Sequence, residues 1–194
     1  MSKQGWEETL ITSQGDGTGP SNTTTATSIL PAAARYTLPA NYFSEPGKQI
    51  RVRVAGRQSG AASANNGNIT FDVRFGTVAS PIVVFNGGAT AQNATATTNQ
   101  TFIFWADLVC RAIGSGTSAN MMGIGQWTSR TSLNAPAVGT TTGVGTVNLP
   151  DTAPAVGTGF DSTITNVVDV FVTYSIANSG SSITTHQYSL ESLN

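Results

Sequence analysis

Three stretches of this chain alternate apolar and polar residues with a period of two. That period belongs to a β-strand with one face in a core. In "QIRVRVAGR" (49–57) Ile50, Val52 and Val54 fall on one side, with Arg51 and Arg53 on the other. "NITFDVRFG" (68–76) sets Ile69, Phe71, Val73 and Phe75 inward against Thr70, Asp72 and Arg74 outward. "NVVDVFVTYSIAN" (166–178) places Val168, Val170, Val172, Tyr174 and Ile176 on one face. The polar run "GRQSGAASANNGN" between the first two reads as a hairpin-type connection. Pairing of those strands would gather Asp72 with Arg51, Arg53 and Arg74 in a cross-strand charge cluster. The arginines then line the solvent face of a half-buried sheet.

The remaining segments fit the same plan. "WEETLITSQ" (6–14) reads as a first strand anchored by Trp6, and "GDGTGPSNTTTATS" (15–28) as a mobile arm or long loop. In "RYTLPANYF" the proline favours a strand end or edge, because Pro39 donates no ladder hydrogen bond. "SPIVVFNGG" (80–88) is a short strand closed by an Asn-Gly-Gly turn. "TFIFWADLVCRAIG" (101–114) carries a helical stripe of Phe102, Trp105, Val109 and Ala112. Its β-branched and aromatic content and Gly-rich flanks read instead as a buried strand. "NMMGIGQWTS" (120–129) is a strand broken by glycines, and the Gly/Pro/Thr run 130–164 holds at most a short strand around 144–149. "ITTHQYSLESL" (183–193) closes the chain. The pattern predicts an all-β, single-domain jelly-roll sandwich over 1–194, with about eight antiparallel strands and long Gly/Thr-rich loops.

Charge excludes several partner classes. Charged residues are 10% of the 194, with a net charge of −1; an average soluble domain carries about 25%. Nucleic acids and anionic membranes call for a concentrated basic surface, so neither is expected as a partner. A single cysteine, Cys110, makes no intrachain disulfide. With no basic start leading into an apolar run, and no apolar stretch long enough to span a bilayer, the sequence reads as soluble and made in the cytosol.

The same search finds no catalytic, cofactor or metal constellation, and the expectation is a protein that is not an enzyme. His186 lacks a second histidine, a paired cysteine or spaced carboxylates, and reads as a surface or interface residue. Cys110 reads as a buried inert thiol. Glu7 and Glu8 point to opposite faces of a strand. Asp16 reads as a turn aspartate, and Asp161 as the cap or brace of a loop. "GSGTSAN" and "GTTTGVGT" lack the lysine and helix of a phosphate loop.

The phrases "WEETLITSQGDG", "TTTATSILPAAARYTLPANYF", "GKQIRVRVAGR", "FDVRFG", "VVFNGGA", "LVCRAIG", "PAVGTGFDST" and "HQYSLESLN" carry a resemblance over essentially the whole chain. It resembles virion structural proteins of tailed bacteriophages, of the jelly-roll type. The resemblance implies a place in the phage particle, after synthesis in the host cytoplasm. It implies a homotrimeric decoration, or cement, protein that binds the major capsid protein and stabilises the head shell. The alternative is a tail-fibre or baseplate module that binds a host surface glycan through exposed aromatics, for which Trp127, Tyr42 and Tyr174 are the sequence's candidates. Candidate contact residues at a subunit or capsid seam are Trp6, Leu10, Arg51, Arg53, Tyr188 and Leu190. Large apolar residues near the two ends suit a trimer seam, and they suit ordinary core packing equally.

Overall fold

A computed structural model describes residues 7–61, 67–93, 96–129 and 145–193. Thirteen strands lie among them. In chain order they are β1 Glu8–Thr12, β2 Gly17–Ser21, β3 Thr27–Ser28, β4 Tyr36–Leu38, β5 Gln49–Gly60, β6 Asn68–Thr77 and β7 Ser80–Asn86. They continue with β8 Thr90–Ala91, β9 Thr97–Ala112, β10 Asn120–Ser129, β11 Gly145–Leu149, β12 Asn166–Tyr174 and β13 Ser182–Ser192. The number exceeds the expected eight partly because lanes are built from short pieces, with β1 and β2 both on β13, β3 and β4 both on β12, and β7 and β8 both on β6, and partly because β10 and β11 extend the larger sheet.

The strands form two antiparallel sheets. The larger runs β1-β13-β5-β9-β10-β11, and the smaller runs β3-β12-β6-β7. With β1/β2 and β3/β4 each taken as one lane, the chain is a long hairpin rolled over on itself. The β12–β13 arch lies between the β2–β3 arch and the β5–β6 arch in both sheets at once. This is the jelly-roll winding, and it corrects one expectation. β5 and β6 do not pair; they lie in opposite sheets, each with its apolar face towards the other. Arg51 therefore meets Asp107 and not Asp72, while Asp72 pairs with Arg74 at 2.9 Å.

Alternation supplies the core. Ile50, Val52 and Val54 from β5, Phe102 and Phe104 from β9, and Phe71, Val73 and Phe75 from β6 are all at most 1% exposed. Phe71 stacks on Phe104 with centroids 4.8 Å apart, and Trp127 lies 5.7 Å from Phe71. A second aromatic group, Phe43, Phe75 and Phe160, closes one end. The ambiguous segment around 101–112 is a strand, with its even-numbered residues Phe102 to Cys110 buried. Ile176, grouped by its period with Val168 to Tyr174, lies beyond the end of β12 and is exposed.

The low-complexity stretch 15–28 is more ordered than its composition suggested. It contains β2 and β3, and Gly17 and Gly19 mark close approach rather than looseness. A side chain at Gly17 would strike the Ile29 backbone, and one at Gly19 would strike Ile29 and Ile183. In β10, the glycines that read as breaks sit inside a continuous strand, and the Phe85 ring fills the space above Gly123.

Candidate binding face on the larger sheet

Each inward residue on β5, β9 and β10 leaves an outward neighbour, and register collects these into rows across the sheet. One row runs Ser189, Arg53, Trp105, Gln126, Asn148. The adjacent rows are Glu191, Arg51, Asp107, Ile124 on one side and Gln187, Ala55, Ile103, Thr128, Thr146 on the other. Strands lie 4.7–4.9 Å apart, so the five-residue row extends about 19 Å. Trp105 stands at its centre.

The two arginines of this face differ in their bonding. Arg51 holds Asp107 in a bidentate pair: Nε donates to Oδ1 at 2.6 Å and Nη2 to Oδ2 at 2.8 Å. Glu7 Oε1 lies 3.7 Å from Arg51 Nη1. The hydrogen bonds from Arg51 to Asp107 raise the pKa of the guanidinium further above its ordinary value. Arg53 is exposed, and among the described residues no carboxylate pairs with it. Two hollows flank its side chain. One, of about 210 Å³, is lined by Arg51, Arg53 and Trp105. The other, of about 400 Å³, is lined by Arg53, Ile103, Thr12, Ser13, Gln187 and Ser189, with backbone and Ala55 beneath.

Polar partners surround the indole. Gln126 Nε2 donates to Asn148 Oδ1 at 2.9 Å, and the Thr128 and Thr146 hydroxyls are 3.0 Å apart. A flat apolar ring beside forked donors and fixed amides suits the holding of a ligand that has both apolar and polar edges. Both oxygens of Asp107 are engaged by Arg51, which fixes the two side chains against each other.

The residues singled out from sequence fall in different places. Arg51 and Arg53 lie on the face. Leu10 is half-buried and packs against the core, whereas Tyr188 and Leu190 are interior, 3% and 0% exposed. The seam reading of those last two gives way to ordinary core packing. Trp6 lies outside the described residues. Trp127 and Tyr174, named as glycan candidates, are 0% and 1% exposed and offer no ring to solvent. Tyr42 is half-buried under Lys48, whose Nζ lies 3.9 Å from the ring centroid. The aromatic on the outer face is Trp105, itself half-buried; sequence reasoning named it in a helical stripe and read its segment as a buried strand. Once the segment is taken as a strand, Ile103, Trp105 and Asp107 opposite Phe102, Phe104 and Ala106 is the signal that identifies it.

Three other polar groups prove structural. His186 sits at a bulge in β13, exposed, with Nδ1 2.9 Å from Asp16 Oδ1. The Asp161 carboxylate accepts from Thr163 Oγ1 at 2.6 Å and from the Gly116 and Thr163 backbone N–H groups at 2.8 Å, bracing two loops as expected. Those bonds hold its pKa below the usual carboxylate range. Cys110 is buried, and desolvation pushes its thiol up.

Fold and face together define a class: an all-β jelly-roll sandwich that presents a polar sheet face with an aromatic centre. No protein-family model matches the chain, and no curated protein matches it. Among solved structures, the chain is similar to the CBM2 module of the evolved Dit of Lactobacillus casei BL23 phage J-1. The two are 13% identical, with a TM-score of 0.34, over 92% of this chain and 76% of that one. At that degree of likeness, nothing of the module's role carries over to this chain.

Proposed function

We propose that the protein is a structural component of a tailed-bacteriophage particle that works by attachment, with the outer face of the larger sheet as its contact surface. The observation that carries the surface is Trp105, held on that face between Arg53 and Gln126. The particle is supported by the sequence phrases that resemble virion proteins. A pyranose ring has an apolar C–H face and polar rim hydroxyls, and an indole flanked by amides and a guanidinium complements both. The geometry therefore favours recognition of a host surface glycan by a tail-fibre or baseplate module.

A second reading has its own observation. Ile103 and Ile124 on the same face are 43% and 53% exposed, apolar area that a neighbouring subunit would cover. In that form the protein is a homotrimeric head decoration bound to the major capsid protein. Gold-labelled antibody on intact particles separates the two. Label at the tail tip supports glycan attachment, label over the head supports decoration, and a particle without label removes both.

A further inference from the structure

We infer that the hollows beside Arg53 accept an anionic sugar, one bearing a carboxylate or a phosphate, with its ring on Trp105. This rests on the glycan reading and names the ligand chemistry for it. The starting point is the asymmetry between the two arginines. Asp107 occupies the fork of Arg51, whereas the fork of Arg53 has no acidic partner among the described residues. A guanidinium at a sheet surface presents planar paired donors whose geometry matches carboxylate and phosphate oxygens.

The surroundings agree. Among the described residues, neither hollow is lined by a carboxylate. Glu191, the nearest acid along β13, accepts from Ser189 Oγ at 2.9 Å in the row next to Arg53. Arg57 lies four residues along β5 on the same face, and it too is exposed. Arg53 and Arg57 thus place two cations on one face with no carboxylate partner among the described residues, and the row between them holds Gln187, Ala55 and Ile103. A neutral sugar would use Trp105 and leave Arg53 idle; an acidic one uses both.

The test titrates the full chain with a short oligogalacturonate, with its methyl-esterified form, and with a hexose phosphate, read by calorimetry and tryptophan fluorescence. The two anionic probes distinguish carboxylate from phosphate. At least one is expected to bind about tenfold or more tighter than the ester, the gain of a charge-assisted contact. Arg53→Gln should abolish that difference and leave the thermal unfolding midpoint in place, while Trp105→Ala should weaken every probe. Equal binding of acid and ester, with Trp105→Ala weakening both, leaves the glycan reading standing and overturns the anionic preference. No binding of any probe overturns both, as does a Trp105 shielded from soluble quencher by a second copy of the chain.

Discussion

Arg53 and Trp105 are direct cross-strand partners on β5 and β9, and both point away from the core. Trp105 and Trp127 stand on adjacent strands and serve opposite faces of one sheet. Trp127→Ala should cost about 3–5 kcal/mol, as for a fully buried aromatic. Trp105→Ala should cost clearly less. Urea unfolding of the two variants measures the contrast, and equal losses would contradict the outward placement of Trp105.

The Arg51–Asp107 pair is bidentate, yet its side chains remain 34% and 33% exposed. Solvent screens such a pair, so Arg51→Ala should cost about 0–1 kcal/mol. A double-mutant cycle with Asp107→Asn, repeated at high salt, should show the coupling shrink. Loss of several kcal/mol would mean that a partner buries the pair.

Gly19→Val drives a branched side chain into Ile29 and Ile183, where β2 pairs with β13 at the edge of the larger sheet. Overpacking of this kind costs about 1–3 kcal/mol. Hydrogen exchange should quicken over 17–21 and 27–28 before it does elsewhere. A variant with unchanged exchange would show that β2 is not wedged there.

Acid should first stabilise the fold and then weaken it. Asp72 and Asp169 both have raised pKa values because burial disfavours their charged forms. That effect outweighs Arg74 on Asp72, and Ser28 and Arg35 on Asp169. Ion pairs alone would suggest the reverse, but desolvation is the larger effect for acids this buried. A raised folded pKa gives stability that is complete below the ordinary value of 3.8 and lost as pH rises through the folded value. Asp161, with a lowered pKa, contributes above the ordinary value and loses its contribution as pH falls through the depressed one. The urea midpoint should therefore rise on acidification from neutral towards the ordinary carboxylate range, then drop. Asp161→Asn should shrink the drop. A midpoint that only falls on acidification would show the ion pairs to dominate.

If the decoration reading holds, light scattering should give about three times the 20.0 kDa chain mass at micromolar concentration. A mass of one chain would remove the trimer.

The sequence made strands legible wherever one face was buried and the other wet. β5, β6 and β12 each alternate, and each lies close to its expected span. Strand partnership was not legible, because alternation says which side of a strand is buried and nothing about its neighbour. Asp72 was thus placed with Arg51 across a hairpin that is instead an arch between sheets. The binding face was half legible. Arg51 and Arg53 announced an outer surface, but Trp105 lay in a segment where helical and strand periods competed. Trp127 drew attention only through its residue type. Gly17 and Gly19 misled for a related reason, since sequence cannot separate a glycine that frees the backbone from one that makes room for another strand.

The pairing of β1 with β13, Glu8 opposite Ser192, has a kinetic meaning. Ribosomal synthesis exposes β5 and β9 long before β13 exists to cover the flank of β5 that it pairs with. Until then the hydrogen-bonding edge of a half-built sheet is open to other chains. Closure waits on contacts between distant parts of the sequence, so folding should run in the millisecond-to-second regime of non-local β topologies.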